Sequence, residues 1–438
     1  MVQTRQNSSN DLPQEQFVVE EQYNGQPVHQ YQYEEASHES ERLLLDPSNF
    51  ISLKGAGNLP TTSSFNYAQL LIHFKTFFTS VFLPQGYPYT VTSDYLAYQI
   101  WDTAQAFASS LTGALATAAV LKGVGVGSQS ATVLAASITW LLKDGTGMMG
   151  RIVFAWAKGT RLDSECKKWR LIADGLNDIA FSIDLLAPHF SIALFAPCAC
   201  LSSFFRSIVG VAGGATRTAI VRHQARRENL ADVAAKDGSQ ETLVNVLSLL
   251  VSLVFLPIVD EKPVAVWTLF VLFTLAHLYC NYKAVKTLQL DTLNQARFQL
   301  CIRDFVNHGK VQSIVECNAV EPLWSSSYRC FGCELGKLPS ESSTCHYYQQ
   351  AKWVCVYDEM SQKGWIAWHV DAQKTDFFSA IFQLEYFGVA KSWPSLEDED
   401  QFKNLLVAES WQLHSHQLNV DEWRYKVVQI QNSKSKNV

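Results

Sequence analysis

The sequence is poor in charge. Of 438 residues only 17% are Asp, Glu, Lys or Arg, against about 25% in an average soluble domain, and 47% are hydrophobic. A net charge of −6 leaves no excess of basic groups for a nucleic-acid surface, so no nucleic-acid partner is expected. The first residues, MVQTRQNSSNDLPQEQF, contain no apolar run, and no signal peptide is expected in them. The signatures G-x-S-x-G, H-E-x-x-H and G-x-x-x-x-G-K-[ST] do not occur, which argues against an ordinary hydrolase, zinc protease or P-loop enzyme. Ten cysteines are scattered without a disulfide framework and read as reduced thiols facing the cytosol. The length suffices for two or three units, each burying its own core.

Small and apolar residues fill the place of the missing charge. The stretch from Phe82 to Ala155 opens on a turn fixed by Pro84 and Pro88 around Gly86. Thr92 or Ser93 caps the next helix, with Asp94 in its favourable first turn. Tyr87, Tyr89, Tyr95, Tyr98 and Trp101 crowd its entry, either as a membrane-interface belt or as an aromatic face on a soluble core. From Phe107 to Leu142 the chain is dense in Ala, Gly, Ser and Thr, and reads as a helical hairpin bent at Gly123, Gly125 and Gly127. It closes on Lys143-Asp144-Gly145, read as a charged turn, and a second Lys-Asp-Gly turn is expected at Lys236, Asp237 and Gly238.

Four segments in order, LPQGYPYTVTSDYLAYQIWD, GVGVG, WLLKDGTGMMGR and AKDGSQETLVN, resemble the Root UVB sensitive protein family from about Phe82 to about Pro257. The resemblance implies a domain of unknown function, a link to UV-B responses and vitamin B6 balance, and pairing between members. It marks both Lys-Asp-Gly turns as part of the family pattern without saying what they bind.

Read in order, residues 1–66 are rich in Gln, Glu, Asn and Ser and are expected to be disordered. Within them, Glu39 to Leu44 fits an acidic dileucine sorting signal, a pattern that also arises by chance. Asn66 to Phe82 reads as an amphipathic helix, with His73 at its interface. Ile179 to Ala215 is a nearly uncharged block broken by Pro188 and Pro197. Leu243 to Val259 and Pro263 to Cys280 form the clearest membrane hairpin, each near the lower limit of about 17–25 residues for spanning. Basic groups (Arg161 to Arg170, Arg217 to Arg227, Lys283 and Lys286) fall between the hairpins, and Asp260-Glu261-Lys262 falls at a tip. The positive-inside rule then puts both termini on the cytosolic side. A soluble helical domain with very apolar cores is the competing reading. Beyond Leu300, two strands in AKWVCVYD and WIAWHVD and helices over Asp376–Val389 and Asp398–Trp411 are expected.

Ionisable groups beside apolar helices are costly in lipid and therefore mark functional positions. The candidate ligand-binding residues are Asp94, Lys143, Asp144, Gly145, Arg217, His223, Lys236, Asp237, Gly238 and Gln240. Asp102, Asp184 and Arg206 belong to the same class, and Asp174 and Asp178, one turn apart, share a helix face. Arg217, Arg222, His223, Arg226 and Arg227 would suit a phosphate or an anionic headgroup, or are an ordinary positive-inside loop. Gly145, Gly147 and Gly150 match the dinucleotide spacing without its strand-turn-helix context, and the fingerprint is weak. Gly-Ser-Gln before two apolar helices, at Gly127 and Gly238, hints at internal duplication or at coincidence. Cys330, Cys333, Cys345, His346 and Cys355 include one unmatched C-x2-C, so no metal is expected, and no cofactor either.

The expectation is mainly α: a helical membrane-embedded core over 67–300 and a small soluble α+β C-terminal domain over 301–438. Its function is expected to be non-enzymatic, multi-pass in a membrane and exercised through a protein partner or a homo- or hetero-oligomer. A small-molecule carrier is the alternative, and an enzyme using a pyridoxal-type cofactor rests on the family association alone.

Overall fold

A computed structural model of the chain describes residues 16–23, 26–34, 50–52, 77–123, 133–190, 192–259, 261–324, 328–340 and 344–427. The dileucine segment, His73, Gly125, Gly127 and Asp260 lie outside the described residues.

Six long helices make the central unit among the described residues: α1 (Tyr95–Gly123), α2 (Val133–Lys158), α3 (Cys166–Leu186), α4 (Ile192–Gln224), α5 (Leu230–Val259) and α6 (Pro263–Thr287). They run alternately up and down. Thr92 N donates to Gln224 O at 3.1 Å and Val91 bridges Ala225, so α1 starts where α4 ends. Lys122 lines a cleft with His189, Val259 and Pro263, so α1, α3 and α5 finish at one end, where α6 begins. Thr160 and Cys166 share another cleft with Arg222, which places the α2–α3 connection at the opposite, basic end. α1, α4 (from Leu194), α5 and α6 are each long and apolar enough to cross a membrane. Their outward faces expose Leu247, Leu250, Val254, Leu272 and Leu275.

Small residues set the helix spacing. A Cβ on Gly150 of α2 would stand 2.2 Å from Ser207 Oγ and 2.9 Å from the Phe204 ring of α4. One on Gly147 would stand 2.8 Å from Ser203 Oγ, and one on Gly113 of α1 would stand 3.1 Å from the Phe181 ring of α3. Close backbone approach through such residues is how helices associate where lipid removes the hydrophobic drive.

Both Lys-Asp-Gly turns are absent. Lys143 to Gly145 lies inside α2 and Lys236 to Gly238 inside α5. A helical glycine costs only about 1 kcal/mol relative to alanine, and the surrounding helix overrides it. The Gly145 to Gly150 fingerprint is likewise helix interior, with no loop to receive a pyrophosphate. Pro188 does break the chain, in a short 3-10 turn, but α4 continues through Pro197. A proline so near the helix start forfeits a single backbone donor.

Four strands, β1 (Gln16–Tyr23), β2 (Gln26–Glu34), β3 (Phe50–Ser52) and β4 (Thr292–Asn294), come before the C-terminal elements. The first three form an antiparallel sheet where disorder is expected. Alternating Val, His and Tyr around Asn24-Gly25, a hairpin signal, account for it.

The C-terminal unit contains α7 (Gln295–His308), β5 (Arg329–Phe331), β6 (Cys345–Gln349), β7 (Trp353–Asp358), β8 (Lys363–His369), α9 (Lys374–Ala390), α10 (Leu396–Ala408), β9 (Gln412–Gln417) and β10 (Arg424–Tyr425), with the short α8 (Ile314–Val320) after α7. β6, β7 and β8 are an antiparallel meander, and β5 and β10 pair in parallel along the free edge of β8. The two expected strands and two expected helices are present. The expected boundary at 301 falls inside α7, whose Phe298 and Ile302 belong to one core with Trp368, Phe382 and Phe402. Asn294 caps α7 by accepting from Arg297 N, so this unit begins near β4, which pairs in parallel with β9.

Candidate functional site

A chamber of about 320 Å³ opens between α1, α3, α4 and α5. Gln99, Asp102, Gln105, Ser109 and Ser110 line it from α1, Arg170 from α3, Arg217 from α4, and Asp237, Gln240, Glu241 and Asn245 from α5. Gly210, Gly213 and Gly214 of α4 form another wall, and a Cβ on any of the three would meet nothing within 4 Å. The glycines leave room.

Its charges are tied across helices. Arg217 Nε donates to Asp237 at 2.5 Å, and its Nη1 bonds Glu241. Gln99 donates to the other oxygen of Asp237 at 3.2 Å. Arg170 donates to Asp102 at 2.7 Å, and Ser110 to Asn245 at 3.0 Å. Behind this wall, Gln105 donates to Asp174 at 3.0 Å and lies 2.9 Å from His277 Nε2, while His277 Nδ1 stands 2.9 Å from Asp178. In a bundle of this apolarity, such groups are stable only by pairing with each other.

Of the expected residues, Arg217, Asp237 and Gln240 line the chamber. Asp94 and His223 lie outside it and meet at the basic end of the bundle, with His223 Nε2 3.0 Å from Asp94, which also accepts from Gln289 N at 2.7 Å. Burial alone would raise the Asp94 carboxyl, but the His223 contact and the Gln289 amide outweigh it and hold it below the usual range. Asp291 faces His223 and accepts from Arg226 at 2.8 Å; these partners overcome its burial and press its pKa down to about 2.

Lys236 and Gln240 do something else. Lys236 Nζ donates to Ser80 O at 2.5 Å, Gln240 to Phe82 O at 2.7 Å, and Asp232 accepts from Gln85 N at 2.7 Å. One face of α5 thus clasps the segment leading into α1. Gly238 lies within that stretch of α5. Lys143, Asp144 and Gly145 are on α2, which does not line the chamber; Lys143 stacks over Trp140 at 4.4 Å, Asp144 is exposed, and a Cβ on Gly145 would meet open space. The grouping of the two Lys-Asp-Gly turns as one site is not what the structure assembles.

Gln99, Gln105, Arg170 and His277 were not among the expected site residues. A lone histidine inside the apolar run of α6 was the available signal for His277. Asp174 and Asp178 do share a face, and both turn it to His277. In the C-terminal unit, no three His, Cys, Asp or Glu side chains among the described residues converge on a common metal position.

Fold and site together define a bundle of long helices, four of them apolar enough to cross a membrane, enclosing a polar chamber. The chain belongs to the root UVB sensitive family: residues 69–309 match the family described as "Vitamin B6 photo-protection and homoeostasis domain". It is 47% identical over 253 residues to "RUS family member 1" of Dictyostelium discoideum, covering 57% of this chain and 48% of that one. It is 42% identical over 251 residues to "Protein root UVB sensitive 3" of Arabidopsis thaliana, covering 57% of each. "Protein root UVB sensitive 5" of the same plant matches over 347 residues, 72% of this chain and 66% of that one, at 28% identity. The chain spans about half the length of the first two relatives. No solved structure matches it.

Proposed function

We propose that this chain is a non-enzymatic, multi-pass membrane protein whose chamber carries a small polar molecule. One observation supports this most: part-buried Asp102 and buried Asp237 are paired with Arg170 and Arg217 around open space, inside a bundle whose outer faces are leucine and valine. A ligand bearing both charges can exchange with these pairs without leaving any of them uncompensated. The family's description as a vitamin B6 homoeostasis domain directs the first trials to B6 vitamers. With an even number of long helices among the described residues and the basic groups at one end, both termini lie on the cytosolic side.

Alkaline carbonate extraction followed by uptake of labelled B6 vitamers into reconstituted vesicles tests the proposal. Retention in the membrane pellet with saturable uptake reduced about tenfold in Asp237→Asn is expected. Release by carbonate would refute membrane insertion, and retention without saturable uptake of a polar solute would refute carriage.

A partner reading has its own observation. On α2, Leu141, Met148, Ile152 and Trp156 are exposed together with Asp144 and Arg151. Lipid does not accommodate that mixture cheaply, whereas a second membrane protein, including another copy of this chain, would pair the charges. Cross-linking from a cysteine introduced at position 152 tests it; absence of any cross-linked species in native membranes would remove the partner.

A further inference from the structure

Two of the ten cysteines are built differently from the rest. Cys330 is the middle residue of β5, where it pairs with Trp365 of β8, and after Phe331 closes the strand Gly332 turns the chain straight into Cys333. Gly332 holds φ at +100°, and a Cβ there would stand 2.5 Å from Asp421 O and 3.0 Å from Trp368 Nε1. Only glycine fits this turn. The amides of Gly332 and Cys333 both donate to Ile366 O, at 2.8 and 3.0 Å. The turn is therefore pinned to the sheet, and it carries both cysteines at its two ends.

Their surroundings differ. Cys330 is half-buried and reachable from solvent, whereas Cys333 is buried with its thiol 3.4 Å from Ile366 O. The other contacting pair, Cys301 and Cys317, is wholly buried on both sides. An accessible thiol with a sequestered neighbour three residues on is the arrangement in which one sulfur attacks and the second resolves.

We propose that Cys330 and Cys333 are a redox-active pair that closes to a disulfide by exchange with a small-molecule disulfide of the glutathione type. The Cys330 thiolate attacks one sulfur of the oxidant, forming a mixed disulfide and expelling one thiolate. That thiolate takes the Cys333 proton, and the Cys333 sulfur then attacks Cys330 Sγ and expels the second thiolate, which is protonated by solvent. Two protein thiols are oxidised and one small-molecule disulfide is reduced to two thiols. Donation from the Cys333 thiol, helped by Lys337 and Arg161 and opposed by burial and Asp421, brings Cys330 down to about 7. A lowered thiol carries more of the nucleophilic thiolate at neutral pH than an ordinary cysteine does. The pair lies outside the family-matched residues 69–309, so it is independent of the carrier proposal.

The test uses the purified full-length chain in excess glutathione disulfide, followed by acid quench, alkylation and peptide mass mapping. The peptide holding both cysteines should lose two hydrogens and regain them with dithiothreitol. Cys333→Ser should instead trap a glutathione adduct on Cys330, and Cys330→Ser should leave Cys333 unmodified, with both variants melting within a few degrees of the wild type. In the untreated protein, iodoacetamide should label Cys330 several-fold faster than any other cysteine at neutral pH. A pair that stays reduced, a Cys333→Ser chain without adduct, or bound zinc in elemental analysis that shields the pair would each overturn the proposal.

Discussion

His277 of α6 holds Asp178 of α3, Nδ1 to carboxylate at 2.9 Å, with the ring wholly buried. Two helices far apart in sequence are joined by one imidazole whose other nitrogen meets Gln105 of α1. Replacing it with alanine strands the Asp178 carboxylate and leaves Gln105 only Asp174, and a stranded buried group costs about 1–3 kcal/mol. His277→Ala should melt well below the wild type in detergent, and His277→Gln, which keeps hydrogen-bonding capacity, should recover part of the loss. Equal melting of the alanine variant and the wild type would remove this contact from the fold's support.

Asp237 serves Arg217 and Gln99 at once and faces the chamber. Asp237→Asn keeps the shape and removes the charge. The expected result is a folded protein whose vesicle uptake falls by about tenfold, since roughly 1.4 kcal/mol of lost interaction corresponds to a factor of ten. Lys143→Gln, on a helix outside the chamber, should leave uptake unchanged. Comparable loss in both variants would detach the function from the chamber.

Glu321 welds the two units together. It accepts from Arg297 at 2.7 Å and from Asn294 at 2.9 Å, and stands 2.8 Å from Lys167 of α3. Burial would raise its pKa, but the two cations and the Asn294 amide bring it down from 4.5 to about 2. Lys167 itself is pressed downward by the same burial despite its partners, so the carboxylate is the better reporter. A depressed acid stabilises the fold at pH above its unfolded value and loses that contribution as pH falls from about 4.5 towards 2. Glu321→Gln should cost about 3–5 kcal/mol at neutral pH, the range for breaking a buried pair, and the gap to wild type should narrow below pH ~4.5. A gap that is constant in pH would show that the carboxylate carries no such linkage.

Gly150 and Gly145 lie one and a half turns apart on α2 and should respond oppositely to alanine. At Gly150 the new methyl meets Ser207 and the Phe204 ring, and overpacking of this kind costs about 1–3 kcal/mol. At Gly145 it meets nothing, and the gain in helix propensity is about 1 kcal/mol. Melting curves of the two variants should move in opposite directions; a shared direction would mean that α2 and α4 do not approach as described.

Much of this architecture is legible in the residues. The uncharged runs gave the long helices, and the alternation in AKWVCVYD and WIAWHVD gave β7 and β8. Asp237 and Arg217 stand out because charge is expensive beside apolar helices. What was hidden depends on long-range contact. Lys143 to Gly145 looks like a turn until α4 packs along it, and the hairpin dipeptide Asn24-Gly25 sits in a segment whose overall polarity reads as disorder. Arg170 reads as one of a group of surface cations until Asp102 is placed 2.7 Å away. Glutamines 99 and 105 carry no charge, so nothing local distinguishes them from any other polar residue on a helix.

The strand pair β4–β9 has a mechanical consequence. Gln412 opens β9, its amide donates to Asp291 O at 3.0 Å, and its side chain donates to the Asp291 carboxylate at 2.8 Å. That carboxylate also braces His223 and Arg226 at the closing turns of α4. Beside the Glu321 cluster, the C-terminal unit is thus latched to the basic mouth of the bundle through Asp291. Levering that unit away would loosen the last turn of α4, only a few residues beyond Arg217, so whatever pulls on the tail also tugs at the chamber wall.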